Sequence, residues 1–348
     1  MKIAICLPSY NEANNIQNIT QIIDKQLTKL HLDKDSIILN IDNSSKDGTS
    51  TIFLNTTTKC NKKALNTEGY GKGRNILEFF KFCLRNNVEH AFMFDSDLRK
   101  LKRGSIKRML YKLKNGCDFV IPNYKRTRFE GNVTNHFVYP LIAIKYNKLV
   151  RQPIAGDYAF NLNIIKSLPL NEIQEDECLL TYGIDLFLVD TAIKNNFKIG
   201  FVEMGNKVHS ESFLKTETIF LQVFNTWKHL SSVEYNASLN FRKKNFISIN
   251  RVKNCPFLEE KKKLIQDFLI QNDIDILNYD KVKKMWLNNL VSALLTEENK
   301  IDIVKMFTCF TISYWIKFKN SSRRKCEKEL IENIILLNEN LRRGNGAI

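Results

Sequence analysis

Hydrophobic and polar residues alternate along the first 210 residues in a pattern that predicts strands and helices in turn. Short apolar runs predict buried strands at residues 2–7, 36–41, 63–65, 90–94 and 118–122. Apolar residues at helical spacing between these runs predict amphipathic helices, at Ile16/Ile19/Ile23/Leu27, Ile76/Phe79/Phe80/Cys83 and Ile106/Met109/Leu110/Leu113. This alternation is typical of an α/β fold with a mostly parallel sheet.

From about residue 212 the pattern changes to long segments with helical periodicity. Helices are predicted for residues 219–230, 258–270, 282–295 and 327–341. We therefore predict two regions, an α/β domain over residues 1–214 and an all-helical region over residues 215–348. The helical region could support the first domain, form a homo-oligomer or contact a membrane surface, and the sequence does not separate these roles.

Composition excludes several classes of protein. The chain has 348 residues, 43% of them hydrophobic, with 13 glycines and 6 prolines, so it is neither disordered nor collagen-like. No apolar stretch reaches the length of about 18 residues that a membrane span needs. Because the N-terminus also lacks the shape of a signal peptide, we expect a cytoplasmic protein. The eight cysteines are scattered, which indicates reduced thiols.

The net charge of +16 raises the alternative of a nucleic-acid-binding protein. The positive excess is divided evenly, with +8 in residues 1–214 and +8 in residues 215–348. Dispersed charge of this kind is typical of solvated helix faces, so we expect no nucleic-acid partner. A protein of the alternative class would show steeply salt-dependent affinity for DNA or RNA and no binding of nucleotide sugars.

Polar residues follow three of the predicted strands where each strand ends. The sequence PSYNE follows the first strand, Asp42 follows the second, and Asp95 and Asp97 follow the strand at residues 90–94. In open α/β sheets, ligands bind beyond the carboxyl ends of the strands. Two carboxylates in that place can hold Mg²⁺ or Mn²⁺ together with diphosphate oxygens. The tyrosine of PSYNE can stack on a nucleobase, and a carboxylate can accept hydrogen bonds from a base or a ribose.

A glycine-rich segment, GYGKG at residues 69–73, precedes the second predicted helix. Glycines let backbone amides approach a phosphate, and Lys72 adds positive charge near a helix N-terminus. The segment therefore suits a diphosphate leaving group, with a flexible turn as the alternative.

These motifs together resemble the nucleotide-binding half of family 2 glycosyltransferases with the GT-A fold. PSYNE, then IDNSSKDGT at residues 41–49, then DSD at residues 95–97 occur in the order and at the intervals of that family. The resemblance implies a UDP- or GDP-hexose donor and a Mg²⁺ or Mn²⁺ cofactor. It implies that the nucleoside is held by Pro8, Tyr10, Glu12 and Asp42, the diphosphate by Lys72, and the metal and diphosphate by Asp95 and Asp97.

The next segments resemble retaining enzymes of the mannosylglycerate synthase and glucosyl-3-phosphoglycerate synthase type. In the first type an arginine, an acidic residue and a threonine at four-residue spacing contact the acceptor, and Arg126, Glu130 and Thr134 match them. A guanidinium suits a carboxylate because its fork donates two parallel hydrogen bonds. In the second type a Gly-Arg-x-Thr stretch cradles the acceptor. Asn132 stands here in place of that arginine, which weighs against a phosphorylated acceptor.

Three further matches complete the implied site. The loop QPxxG with a following acidic residue resembles the part that contacts the donor sugar, here through Gly156 and Asp157. The sequence YGID at residues 182–185 opens a predicted helix on which Asp185 would orient the acceptor hydroxyl or the sugar. His209 follows a predicted strand at residues 198–204 and would be the third metal ligand.

The resemblance implies a metal-dependent hexosyltransferase that acts on a small, glycerate-like acceptor with retention of anomeric configuration. The nearest alternative is an inverting family 2 transferase that acts on a glycolipid or surface polysaccharide, with the helical region in contact with a membrane. A sugar-nucleotide pyrophosphorylase should carry a glycine-rich loop after its first strand, where this chain has PSYNE.

Overall fold

The computed structural model describes residues 2–127, 129–209, 215–230, 249–250, 258–296 and 302–345. The strands are β1 (Ile3–Ser9), β2 (Ser36–Asp42), β3 (Asn61–Asn66), β4 (His90–Met93), β5 (Leu98–Lys100), β6 (Phe119–Thr127), β7 (Tyr158–Asn161), β8 (Ile199–Asn206), β9 (Val208–His209) and β10 (Ile249–Asn250).

The helices that lie before residue 200 are α1 (Ile16–Thr28), α2 (Thr49–Asn55), α3 (Lys72–Arg85), α4 (Ser105–Lys114), α5 (Tyr139–Tyr146), α6 (Leu162–Ser167), α7 (Leu170–Glu175) and α8 (Gly183–Lys194). A π-helix at Thr134–Val138 directly precedes α5. The later helices are α9 (Thr216–Leu230), α10 (Leu258–Leu264), α11 (Gln266–Gln271), α12 (Tyr279–Leu295), α13 (Ile303–Phe318) and α14 (Arg323–Asn345). None of the described helices has the length and apolar character needed to cross a bilayer.

The main sheet is mostly parallel, as predicted. β1 pairs in parallel with β2 and β4, and β3 pairs in parallel with β2. β7 is antiparallel to both β4 and β6, which gives the order β6-β7-β4-β1-β2-β3, with β8 beside β6. β5 and β9 form a separate two-stranded sheet. β5, β7 and β9 were not predicted because they are too short to show the alternation of apolar and polar residues that marks a strand.

β1 and β2 are buried strands, and ligands are expected at the edge of the sheet where these strands end. All seven residues of each strand are buried, as is usual for central strands of a parallel sheet covered on both faces. Ile16, Ile19 and Ile23 of α1 are fully buried in the same core as Ile3, Ile5 and Leu7 of β1. The loops that follow β1 and β2 are therefore attached to strands that are held firmly in the core.

The chain forms two compact units. The first comprises Met1–Tyr124, Gln152–Glu211 and Asn225–Trp227, and the second comprises Lys125–Arg151, Ser212–Phe224 and Lys228–Ile348. The chain leaves the first unit close to the predicted boundary at residue 214, but Lys125–Arg151 groups with the helical region. Folding of residues 1–214 and 215–348 as separate domains stays a prediction.

Aromatic residues form the core of the second unit. Phe220 stacks on Phe307 with ring centroids 4.2 Å apart, and Trp286 and Phe137 lie 5.9 Å and 5.2 Å from Phe220. Such rings contribute large buried areas, which explains how a set of separate helices is held together.

The predicted helical character of the later region is confirmed for its described residues, where α13 is a further helix beyond the four predicted and two other places differ. The two-residue strand β10 pairs with Arg126 and Thr127 of β6. The single helix predicted for residues 258–270 is two short helices, α10 and α11, because the chain turns at Ile265, whose side chain is 2% exposed.

Candidate active site

Asp42 lies at the end of β2 and is the centre of a buried hydrogen-bond cluster. Its Oδ1 accepts from Ser9 Oγ at 2.9 Å and from Ser45 Oγ at 2.6 Å, and its Oδ2 accepts from the backbone N of Ser45 at 2.7 Å. These bonds tie the loop after β2 to the end of β1. The contact of Asp42 with a nucleoside stays a prediction. In the structure, the side chain of Asp42 also holds the loop after β2 against the end of β1.

Tyr10 is one of two exposed residues of the PSYNE motif, the other being Asn11. It is 43% exposed and meets Tyr70 edge to face, with ring centroids 4.9 Å apart. By contrast, Pro8 is buried, and its carbonyl oxygen accepts from Ser96 Oγ at 2.6 Å. Glu12 is partly buried, and its Oε2 accepts from Asn15 Nδ2 at 2.8 Å. Two exposed aromatic rings beside a strand end offer a planar ring a surface on which to stack.

Asp95 follows β4 and lies between two buried ammonium groups. Its Oδ1 accepts from Lys72 Nζ at 3.0 Å, and its Oδ2 accepts from Lys207 Nζ at 2.6 Å. Burial alone would raise the pKa of Asp95, but Lys207 and Lys72 hold that pKa well below its usual range. Asp95 is therefore ionised at neutral pH.

Lys207 is a site residue that the sequence reasoning missed. Its side chain is 4% exposed, and Nζ also donates to the carbonyl oxygen of Ala155 at 2.8 Å and lies 3.3 Å from Asp157 Oδ2. In the sequence it is one lysine among many in a basic chain, and in the structure it lies between β8 and the two-residue strand β9. The only available signal was its place two residues before His209.

Lys72 links Asp95 to a second buried carboxylate, that of Asp185. Its Nζ lies 3.0 Å from Asp185 Oδ2 and 3.4 Å from the carbonyl oxygen of Gly156. Burial by itself lowers the pKa of Lys72, but Asp185 and Asp95 raise that pKa well above its ordinary value. The ammonium group of Lys72 is therefore retained at neutral pH.

Asp185 lies in the first turn of α8 and presents an open acceptor. Burial raises the pKa of its carboxyl, an effect that Lys72 partly offsets. Its Oδ1 is buried and has no hydrogen-bond partner among the residues that the structure describes. A buried oxygen of this kind is costly unless a ligand or water donates to it, which marks Asp185 as a functional candidate.

Asp157 supports Asp95 from behind. It is fully buried, its Oδ1 accepts from the backbone N of Asp95 at 2.7 Å, and its Oδ2 accepts from Tyr124 Oη at 2.6 Å. These bonds fix the turn that aims the Asp95 side chain. The predicted contact of Asp157 with the donor sugar stays a prediction.

Gly156 leaves the room that Asp95 needs, and we expect Gly156→Ala to disturb the site. Gly156 has φ +86°, and a Cβ there would collide with Asp95 Oδ2. A suitable control is Gly116→Ala, since Gly116 has φ +85° and its nearest neighbour would be Lys198 Nζ at 3.7 Å. Both variants bear the backbone strain of about 1–2 kcal/mol, but only Gly156→Ala should lose donor turnover, by roughly a hundredfold. Equal turnover in the two variants would rule out the collision.

Asp97 and His209 face each other beside the two lysines. His209 Nδ1 lies 3.7 Å from Asp97 Oδ2, and the two side chains are 15% and 25% exposed respectively. The pairing of β5 with β9, which sets Leu98 opposite His209, holds them in place. A carboxylate oxygen and an imidazole nitrogen form a donor set that fits Mn²⁺ or Mg²⁺. Asp95 could join them as a ligand only in competition with Lys72 and Lys207 for its oxygens.

The glycine-rich segment packs against the protein instead of presenting free amides. The backbone N of Gly73 donates to Thr181 O at 3.1 Å, and that of Arg74 donates to Leu180 O at 3.2 Å. A Cβ at Gly71 would collide with the backbone carbonyl of Leu180, and a Cβ at Gly73 would collide with that of Leu179. The expectation that the amides of this segment approach a phosphate is therefore wrong for Gly73, since close packing of α3 engages its amide. This segment contributes the ammonium group of Lys72 to the site.

The predicted acceptor residues lie in the second unit. β6 runs to Thr127, past the end predicted at residue 122, so Arg126 lies on a strand opposite Ile249 of β10. The sequence did not show this because residues 123–127 are mostly polar. Thr134 is buried at the start of the π-helix, and Glu130 Oε2 accepts from the backbone N of Thr127 at 2.7 Å.

Asn132 has a structural role in the same loop. Its Oδ1 accepts from Trp315 Nε1 at 3.2 Å, and its Nδ2 donates to Phe129 O at 3.0 Å. Asn132 is 5% exposed, so both ends of its amide are used inside the second unit.

Comparison with known proteins gives consistent matches. A model described as glycosyl transferase family 2 matches residues 4–170. A dolichol-phosphate mannosyltransferase of Pyrococcus furiosus is 23% identical over 238 residues, a match that spans 63% of this chain and 61% of that protein, less than two thirds of its length.

Solved structures are similar in fold. Glucosyl-3-phosphoglycerate synthase from Mycobacterium tuberculosis in complex with Mg²⁺ and UDP has a TM-score of 0.55 and 21% identity, with 67% of this chain and 80% of that chain covered. The same synthase with Mn²⁺, UDP-glucose and phosphoglyceric acid has a TM-score of 0.55 and 19% identity, with 72% and 88% covered.

The family match spans the loops that carry Tyr10, Asp42, Lys72, Asp95 and Asp157. The resemblance inferred from the motifs is therefore confirmed. Residues 4–170 match the glycosyl transferase family 2 model, and the chain has the GT-A fold.

Proposed function

We propose that this protein transfers a hexose from a UDP- or GDP-hexose to a small hydroxylated, glycerate-like acceptor, with Mg²⁺ or Mn²⁺ as cofactor and with retention. One observation carries the proposal. Lys72, Lys207, Asp95 and Asp185 converge by hydrogen bonds of 2.6–3.0 Å at the end of β4. Fixed charges of both signs in a buried site suit a reaction in which negative charge develops on a leaving group.

The solved relatives support this choice of ligands. The Mycobacterium tuberculosis synthase was crystallised with UDP-glucose, Mn²⁺ and phosphoglyceric acid. Asp97 and His209 would hold the metal here, with Asp95 as a third ligand. When bound, a divalent cation at this place supplies positive charge to the departing diphosphate.

The donor would be held by residues at the strand ends. The base would stack on Tyr10, and Pro8, Glu12 and Asp42 would contact the nucleoside. Lys72 and Lys207 would donate to the diphosphate oxygens, since their ammonium groups already lie 3.0 Å and 2.6 Å from Asp95. Gly156 and Asp157 would form the wall beside the sugar.

Asp185 would accept a hydrogen bond from a sugar or acceptor hydroxyl through its open Oδ1. Its other oxygen is engaged by Lys72 at 3.0 Å, which lowers its nucleophilicity. We therefore infer a front-face displacement, in which the leaving phosphate oxygen takes the proton of the acceptor hydroxyl, in preference to a covalent intermediate.

Arg126, Glu130 and Thr134 would bind the acceptor, and we expect Arg126→Ala to raise the KM for the acceptor. Loss of the two charge-assisted hydrogen bonds of the guanidinium should raise the acceptor KM by roughly tenfold to a hundredfold. Lys125→Ala is the control, since Lys125 is the exposed neighbour on the same strand. Initial rates at varied acceptor concentration check this, and an unchanged acceptor KM in Arg126→Ala would remove Arg126 from the acceptor site.

Calorimetric titration with UDP and GDP, each with and without Mn²⁺, tests the proposed binding of the donor nucleotide. We expect one of the two nucleotides to bind, and Mn²⁺ to tighten that binding by roughly tenfold or more. Failure of both nucleotides to bind in the presence of Mn²⁺ would contradict the proposal.

A second candidate is inverting transfer to a glycolipid, which the similarity to a protein named dolichol-phosphate mannosyltransferase favours. The anomeric configuration of the product separates the two candidates.

A further inference from the structure

Lys207 places a buried ammonium group among oxygen atoms. Its Nζ lies 2.6 Å from Asp95 Oδ2, 2.8 Å from the carbonyl oxygen of Ala155 and 3.3 Å from Asp157 Oδ2. The side chain is 4% exposed, and Nζ lies 5.4 Å from the centroid of the Tyr124 ring. Carboxylate and carbonyl oxygens are also the ligands that Mg²⁺ and Mn²⁺ prefer. The oxygen atoms around this ammonium are therefore of the kind that a divalent cation binds as well.

The pair formed by Lys207 and Asp95 lies next to the pair formed by His209 and Asp97. Asp95 and Asp97 are two positions apart on one segment, and Lys207 and His209 are two positions apart on another. The pairing of β5 with β9 joins these segments, with Leu98 opposite His209. His209 Nδ1 lies 3.7 Å from Asp97 Oδ2, and Lys207 Nζ lies 2.6 Å from Asp95 Oδ2. A cation bound by Asp97 and His209 would therefore lie close to the ammonium of Lys207.

Both oxygens of Asp95 are engaged by ammonium groups. Lys72 approaches Oδ1 from α3, and Lys207 approaches Oδ2 from the residues before β9. Two positive charges a few ångströms apart repel each other strongly in a buried site. A divalent cation that binds Oδ2 must therefore displace the ammonium of Lys207. After leaving Asp95, Lys207 would keep Asp157 and the carbonyl oxygen of Ala155 as partners.

We propose that Lys207 and the divalent cation compete for Oδ2 of Asp95, and that the diphosphate of the nucleotide decides the competition by binding the ammonium instead. The inference rests on the proposed function, in which Asp95 is a metal ligand and Lys207 donates to the diphosphate. While Lys207 contacts Asp95, the site binds a metal ion alone only weakly, because a ligand oxygen is taken and a positive charge lies nearby. Metal and nucleotide then bind cooperatively, since each removes an obstacle to the other.

Binding of Mn²⁺ alone to the full chain tests the competition, with free Mn²⁺ measured by electron paramagnetic resonance. We expect Lys207→Met to bind Mn²⁺ more tightly than the wild type by roughly tenfold or more, because the competing ammonium is gone. Lys100→Met is the matched control. Lys100 is exposed on β5, opposite Val208, so this variant should bind Mn²⁺ as the wild type does. Equal or weaker Mn²⁺ binding by Lys207→Met would overturn the inference.

A double variant separates competition for the oxygen from a simple change of charge, and it decides the matter if Lys207→Met does not fold. Lys207→Met combined with Asp157→Asn removes the ammonium and one nearby carboxylate together, so the balance of charge is kept. The asparagine can still accept from the backbone N of Asp95, as Asp157 does at 2.7 Å. This variant should also bind Mn²⁺ more tightly than the wild type. Wild-type affinity would mean that the contact of Lys207 with Asp95 is irrelevant to the metal, which contradicts the proposal.

Calorimetry with UDP and GDP tests the role of the diphosphate. In the wild type, Mn²⁺ should tighten the binding of the nucleotide. In Lys207→Met this tightening should be smaller by roughly threefold or more, because the metal ion no longer depends on the nucleotide to free Asp95. An equal tightening in the two proteins would contradict the proposed action of the diphosphate on Lys207.

These outcomes keep the two proposals distinguishable. Tighter nucleotide binding by the wild type in the presence of Mn²⁺, with no gain of Mn²⁺ affinity in Lys207→Met, leaves the proposed transferase intact and removes this inference. A gain of Mn²⁺ affinity in Lys207→Met, without any nucleotide binding by the wild type, keeps the competition at Asp95 and removes the proposed donor.

Discussion

Lys72→Met is expected to destabilise the protein and to abolish transfer at the same time. The Lys72 ammonium is shared by Asp95 and Asp185 at 3.0 Å each, and its side chain is 10% exposed. Removing it leaves Asp185 without a cation and Asp95 with Lys207 alone, which should lower the free energy of unfolding by about 3–5 kcal/mol. Chemical denaturation, with donor turnover measured on the same preparations, checks both effects.

A double variant shows whether the loss comes from uncompensated charge. Asp185→Asn combined with Lys72→Met removes the carboxylate that has lost its cation, so it should recover part of the stability that Lys72→Met loses. Lys114→Met is the control, because Lys114 is exposed on α4. If Lys72→Met is no less stable than Lys114→Met, the buried ion-pair network does not hold this part of the fold.

Asp97→Asn is expected to remove the dependence of the rate on metal. Asp97 Oδ2 and His209 Nδ1 face each other at 3.7 Å, and an amide is a much poorer metal ligand than a carboxylate of the same shape. Turnover should fall by about a thousandfold, equivalent to about 4 kcal/mol in the activation free energy. Initial rates over a series of Mn²⁺ concentrations measure the effect.

The control for Asp97→Asn is Asp35→Asn. Asp35 is an exposed carboxylate whose partner is Lys2 at 3.4 Å, so the same chemical change there should leave the Mn²⁺ series as in the wild type. His209→Gln should shift the series in the same direction as Asp97→Asn. A wild-type Mn²⁺ series in Asp97→Asn would show that the metal binds elsewhere.

The strands and the residues at their ends were predictable because they follow from local pattern. β1 and β2 are continuous apolar runs that end in polar residues, and parallel strands bring such ends to one edge of a sheet. This placed Asp42 and Asp95 correctly at strand ends. The order of the motifs then indicated the family, which a single short motif would not have done.

Contacts between distant segments account for what the sequence could not predict. Lys207 reaches Asp95 from 112 positions away in the chain, and no local pattern marks that approach. The packing of α3 against residues 179–181 uses the amide of Gly73, which the glycine-rich motif had suggested was free. The polar end of β6 is a strand because it pairs with β10, so Arg126 gained a fixed place that its own neighbours in sequence did not indicate.

A buried histidine without a hydrogen-bond partner among the described residues was equally invisible in the sequence. His136 was one of five histidines with no distinguishing motif. Only its burial and its missing partners single it out, and both depend on the packing of Phe310 and Tyr314 of α13 around it.

NMR analysis of the reaction products tests the central claim most directly. The purified protein would be incubated with UDP-glucose or GDP-mannose, with Mn²⁺ or Mg²⁺, and with D-glycerate or 3-phosphoglycerate. The proposed function predicts an α-linked glycosyl acid that forms only when metal is present, with the α configuration of the donor retained. A product of inverted configuration would contradict retention, and the absence of any donor consumption in all combinations would contradict the proposed transferase.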